Sequence, residues 1–110
     1  MTIETLNHLV ELVVKSKTLS SRQRVDIGTH LEAISVEIQL LAVENAQAAQ
    51  SIVNFLTTAI YESTRDERTD ALAAVARKGM LFSFRPYEDS HSKLVEQGYS
   101  LGNVLSALGV

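Results

Sequence analysis

The chain has 110 residues, 45% of them apolar, no cysteine, and a formal charge of −3 from ten Lys and Arg against thirteen Asp and Glu. The lack of cysteine removes disulfide frameworks, thiolate zinc sites and cysteine nucleophiles together, and so small an acidic excess argues for neither a duplex-binding surface nor an acidic nucleic-acid mimic. Met1-Thr2-Ile3-Glu4 lacks the basic start and apolar run of a secretory signal, and no stretch of about 18 residues is free of charged or amide side chains, so a soluble cytoplasmic protein without a membrane span is expected.

With one proline and five glycines, four of them in the last third, the composition is helical. Ile3, Leu6, Val10 and Val13 recur at steps of three, four and three, and Leu9, Leu12 and Val14 widen that stripe. The spacing predicts an amphipathic helix over 3–15. Ser20-Ser21-Arg22-Gln23 then reads as a capping box, with Ser20 the N-cap and Gln23 reaching back.

From Ser21 onward only Gly28 interrupts a helical pattern until Gly79. Ile27, Leu31, Ile34, Ile38, Ala42, Ala46, Ala49, Val53, Leu56 and Ile60 mark one face, and Leu41, Ala48, Ile52, Phe55 and Ala59 lie beside it. A single helix over 21–61 is about 61 Å long, whereas a compact chain of this length has a radius of gyration of only ~13 Å. Such a helix must project from the body or be covered by a second copy. A break near Glu44-Asn45-Ala46-Gln47 is the alternative, but Ala and Gln are good helix formers and no breaker is present, so the unbroken helix is expected.

Thr64-Arg65-Asp66-Glu67 reads as a second capping box. The helix it opens carries Leu72, Val75 and Ala76, then Arg77-Lys78, and stops at Gly79 as a C-terminal cap. Phe82 and Phe84 alternate with Ser83 and Arg85, and Pro86 disfavours a helical Arg85, so residues 80–87 are expected as an extended connector. Two short helices follow, from about Asp89 to Gln97 and from Ser100 to Leu108, divided at Gly98. The expected fold is all-α, a hairpin or bundle around one long central helix (about 21–61) with short flanking helices, and oligomeric. Residues 1–79 form its core, and 80–110 form an extended connector with two short C-terminal helices, either in the same domain or as a docking appendage.

The chemistry-bearing residues are sparse. His8, His30 and His91 stand apart from one another, with no HExxH spacing, and no nucleophile elbow, phosphate loop or dinucleotide fingerprint occurs. Glu62, Arg65, Asp66, Glu67, Arg68 and Asp70 alternate in sign at helical ion-pair distances and read as structural charge pairing. No catalytic, metal or cofactor residue is assigned.

Three surfaces remain as candidates. Ala42, Ala46, Ala49, Ile52, Val53, Phe55, Leu56 and Ile60 form the stripe expected to meet a second copy or another protein. Phe82, Phe84, Arg85 and Tyr87 form a candidate docking arm; the plainer reading is that Phe82 and Phe84 plug a gap in the core. Lys15, Lys17, Arg22 and Arg24 form a basic cluster that offers an anion or nucleic-acid patch, or simply a solubilising loop between helices. Finally, Lys93-Leu94-Val95-Glu96-Gln97-Gly98-Tyr99-Ser100 through Ala107-Leu108-Gly109-Val110 resembles the opening half of a helix-turn-helix domain of the transposase and resolvase type. In those domains a first helix ends in Gly-Tyr-Ser, a second ends in Ala-Leu-Gly-Val, and a recognition helix follows. The sequence ends before that third helix, so the segment is not expected to read a major groove.

The function expected from these features is non-enzymatic protein–protein interaction by a small homo-oligomer. It would serve as an adaptor, inhibitor or accessory factor of the kind phages and mobile elements encode, with itself and another protein as partners. The alternative is a nucleic-acid-associated regulator using the Lys15–Arg24 cluster and the partial helix-turn-helix. A sensor of a small anionic ligand near Arg22 and Arg24 is the third and weakest reading.

Overall fold

The structure, a computed structural model, describes residues 2–109 of the chain, with side chains from Glu4 onward. The side chain of Ile3 and the whole of Val110 lie outside the described residues. Five α-helices follow one another: α1 (Thr2–Val14), α2 (Ser21–Glu44), α3 (Ala46–Thr64), α4 (Asp70–Phe84) and α5 (Ser92–Ser106), with a 3-10 turn at Arg85–Tyr87. Among the described residues there is no strand. The radius of gyration is 12.8 Å and the extents are 37 × 23 × 20 Å, so the bundle's long axis matches the roughly 36 Å of a 24-residue helix such as α2.

The first turn of chain direction follows the expected chemistry. Leu6, Leu9 and Val13 of α1 are buried and Val10 is half-buried, whereas Leu12 and Val14, expected to widen the stripe, are exposed, so the face that enters the core is narrower than the spacing suggested. The Ser20 capping box forms in full: the Gln23 N–H donates to Ser20 Oγ at 3.1 Å, and the Ser20 N–H donates to Gln23 Oε1 at 2.8 Å. Ile27, Leu31, Ile34, Ile38 and Leu41 then bury one face of α2.

The unbroken helix over 21–61 does not form. Asn45 stands between α2 and α3 in extended backbone (φ −155°, ψ 93°), closing one helix and opening the next. Its N–H donates to the Leu41 carbonyl at 2.8 Å, and its Oδ1 accepts from the Ala48 N–H at 3.0 Å. Asparagine ends a helix here through capping, its side-chain oxygen replacing a lost backbone partner. Propensity alone, which treats it as an ordinary interior residue, does not show this.

The break explains the wide apolar face that follows. Ala49, Ile52, Val53, Leu56, Ala59 and Ile60 are all buried, because α3 is the helix surrounded by others: α1, α2 and α4 each pack against it. The stripe too wide for one partner helix has several partners in its own chain. The 61 Å helix with an uncovered remainder, on which the expectation of an oligomer rested, is therefore absent.

Three further boundaries differ from the sequence reading. Thr64 is not an N-cap but the last residue of α3, its hydroxyl donating to the Ile60 carbonyl at 2.7 Å; α4 starts six residues later, with Thr69 as its N-cap. Helix α4 runs through Gly79 to Phe84, so residues 80–87 are helix and 3-10 turn rather than an extended connector. Arg85 keeps a helical conformation (φ −54°, ψ −41°) in front of Pro86, because burying Ala73, Met80 and Phe84 on one face outweighs the local preference for extended backbone.

Helix α5 is continuous through Gly98-Tyr99-Ser100, which overturns both the pair of short helices and the helix-turn-helix resemblance. Gly98 and Gly102 are buried, one turn apart, on the face that meets α4. A Cβ at Gly98 would fall 2.6 Å from Cδ2 and Cζ of the Phe84 ring, and one at Gly102 would fall 2.5 Å from Leu81 Cδ2. These glycines are notches that receive side chains of α4. Helix α5 also packs on α2, where His30 Nδ1 and Gln97 Oε1 share a hydrogen bond of 2.9 Å. Leu94, Val95, Leu101 and Leu105 join the same buried cluster as the first four helices, and residue 79 lies inside α4.

Candidate interaction surface

The residues singled out from the sequence are distributed by this fold in three ways. Of the proposed self-association stripe, Ala49, Ile52, Val53, Leu56 and Ile60 are buried within the chain, Ala42 is half-buried, and Ala46 and Phe55 are exposed. Only Phe55 remains as a large apolar group on the surface.

The candidate arm also divides. Phe84 is buried over Gly98, which is the plug of the plainer reading, whereas Phe82 is 68% exposed. The Arg85 guanidinium lies over the Phe82 ring at 5.7 Å from its centroid, and Tyr87 is half-buried with its ring edge to His91.

The side chains of the basic cluster are held in different ways. Arg24 donates to the Ser16 carbonyl at 2.7 Å, tying down the loop between α1 and α2. Arg22 faces Asp26 across 4.0 Å on the exposed side of α2. Lys15 and Lys17 line a cleft of about 290 Å³ with Tyr61, Arg65 and Asp66. There Arg65 is stacked on Tyr61 and paired to Glu62 at 3.3 Å.

The surface feature that stands out lies on α4. Leu72 and Val75 are 54% and 67% exposed. The buried face of α4 is instead Ala73, Met80 and Phe84, with the half-buried Arg77 in register between them. That arginine, whose Nε is buried without a protein partner, disguises the buried stripe in the sequence. The outer stripe is therefore Leu72, Val75, Gly79 and Phe82, at steps of three, four and three, one side of the helix by its 3.6-residue period.

Two shallow grooves flank this ridge. On the α3 side, Phe55, Thr58, Val75, Ala76 and Gly79 line one of about 350 Å³; the Phe55 ring lies against Gly79, where a Cβ would touch its Cδ1 at 3.4 Å. On the α5 side, Lys78, Leu81, Phe82, Arg85 and Tyr99 line one of about 530 Å³. Tyr99 donates to Glu88 Oε1 at 2.6 Å. That hydrogen bond to the carboxylate, helped by burial and by the negative charge of Glu88 and opposed by Arg85, raises the phenol above its ordinary value.

A second exposed row, Val25, Val36, Leu40 and Val43, runs along α2. Thr29 and Glu32 separate Val25 from Val36, Leu40 and Val43, which lie at steps of four and three on one face bordered by Gln39 and include no aromatic side chain. Among the described residues no three His, Cys, Asp or Glu side chains gather where a metal ion would sit, and no helix is long and apolar enough to cross a membrane. No protein-family model, curated protein or solved structure matches the chain.

Proposed function

We propose that this chain acts through protein–protein contact rather than catalysis, and that the contact surface is the outer face of α4 with Phe55 of α3. The observation that carries this reading is the contiguous apolar ridge of Leu72, Val75 and Phe82, each more than half exposed, with no charged side chain within its stripe. Isolated apolar groups on a surface are ordinary, but a contiguous patch bordered by polar residues marks an interaction site. Here Lys78 and Arg85 border it on one side and Asn54 and Thr58 on the other. Aromatic anchors such as Phe55 and Phe82 supply much of the energy of such contacts.

The test is site-specific photo-crosslinking in the native host, with benzoylphenylalanine at Phe82 and, as a control, at the exposed Gln39 of α2. The expected result is a discrete protein adduct at Phe82 that the control lacks. Equal, diffuse labelling at both positions would overturn the proposal. Nucleic-acid association has one feature in its favour, the shared cleft of Lys15, Lys17 and Arg65. Salt-sensitive retention of the protein on duplex or single strands would raise it above the first reading.

A further inference from the structure

We propose that the partner seated on α4 is a second copy of this chain, its own α4 packed antiparallel across a two-fold axis near residue 77. This rests on the reading that the α4 face is a protein contact. Three observations point to the second copy.

The first is the symmetry of the stripe. The steps from Leu72 to Val75 to Gly79 to Phe82 are three, four and three, the same from either end. A two-fold contact requires a surface that fits itself when reversed. Antiparallel pairing places Leu72 opposite the partner's Phe82, and Val75 opposite the partner's Gly79. Each bulky group thus meets either the single small residue of the ridge or the other large end of it, which suits packing of ridges into grooves. Val75 would enter beside Gly79, in the shallow groove floored by Phe55.

The second is charge. Asp66 and Glu67 are exposed just before α4, and Arg85, exposed at its end, lies over the Phe82 ring. Antiparallel pairing brings the acidic start of each α4 beside the Arg85 end of the other, and it opposes the helix dipoles favourably. The acid that follows Arg85, Glu88, is turned to Tyr99 of α5. Parallel pairing would set like ends together.

The third is competition between faces. The α2 row offers a second copy the aliphatic Val36, Leu40 and Val43 with no aromatic anchor beside them, and contact between α4 of one copy and α2 of the next would be open-ended, building chains rather than a closed pair. A 15-residue helix is about 22 Å long, so the contact falls below the usual size of a stable interface and the association should be weak.

Mass measured by sedimentation equilibrium from about 1 to 500 μM is expected to rise from one chain of 12.1 kDa to a plateau at two, with a midpoint of about 10–100 μM. Val75→Arg should weaken the pair at least about tenfold without lowering the melting temperature, because two unpaired charges are buried per dimer; Phe82→Ser serves as a second variant for the same comparison. The chain has no cysteine, so register can be read directly: a mixture of Leu72→Cys and Phe82→Cys chains should form the mixed disulfide faster than either variant bridges to itself. A monomer throughout the range, growth past the dimer without a plateau, or faster self-bridging than mixed bridging would each overturn the two-fold contact. A monomer whose Phe82 photo-adduct is a different protein overturns this inference and leaves the proposed function standing. A monomer with no specific adduct overturns both.

Discussion

Two glycines in the interiors of helices provide the sharpest test of how the bundle is built. Alanine in place of glycine at a helix interior gains roughly 0.5–1 kcal/mol from reduced chain freedom. At Gly28 of α2 nothing lies within 4 Å of where the Cβ would go, so Gly28→Ala should keep that gain and raise the melting temperature by roughly 2–6 °C. At Gly98 the same methyl group would lie 2.6 Å from two atoms of the Phe84 ring. That ring is 0% exposed, held between α4 and α5, and cannot swing aside without parting the two helices. Overpacking of this kind costs about 1–3 kcal/mol, which exceeds the propensity gain, so Gly98→Ala should destabilise by roughly 0.5–2 kcal/mol. Urea denaturation of the two variants beside the parent chain measures both. A double-mutant cycle with Phe84→Leu isolates the cause, because the smaller side chain should relieve much of the strain and the two substitutions should couple by about 0.5–3 kcal/mol. If Gly98→Ala were as stabilising as Gly28→Ala, the notch would not exist. Destabilisation without coupling to Phe84 would mean that Gly98 ends a helix, as the sequence reading held, and that α5 is not continuous there.

Asn45→Ala should cost about 1 kcal/mol in urea denaturation through the lost cap; a gain in stability would instead indicate one continuous helix across 21–61, where alanine is the better residue. Ser20→Ala should cost a similar amount, about 1 kcal/mol, since it removes the Oγ that accepts from the Gln23 N–H while the backbone half of the capping box stays; unchanged stability would refute it. Tyr99 should deprotonate above the ordinary phenol range when followed by ultraviolet absorbance, and Glu88→Gln should lower its titration toward that range. The raised value means the neutral phenol is favoured in the fold. Its contribution is fully present below the ordinary phenol pKa and is lost as pH rises through the raised one, so loss of stability in neutral or acid solution cannot be ascribed to this group. Val75→Ser and Phe82→Ser should alter stability by no more than about 0.5 kcal/mol, as exposed positions do; a loss of several times that would place both side chains in a core.

What the sequence determined by itself is the set of locally encoded features. Helical composition, the stripe of α1, the face of α2 through Ile38 and the capping box at Ser20 all depend on residues within a turn or two of one another, and each was legible. The capacity of Asn45 to cap was also in the sequence. Its use was not, because an asparagine is compatible with either a helix interior or a boundary. The choice follows from whether the apolar face beyond it can fold back against α1 and α2, which is a matter of long-range burial.

The glycines show the same division. Gly79 and Gly98 fit helix-stop patterns by local rules. In the tertiary structure one lies against Phe55 and the other under Phe84, and the helices continue because a missing side chain lets a neighbour approach. The candidate surface turned on the same kind of information. Leu72 and Val75 are as apolar as any core pair, yet Ala73, Met80 and Phe84 fill the inner face of α4, and only the packing of α3 and α5 decides which side of that helix is left exposed.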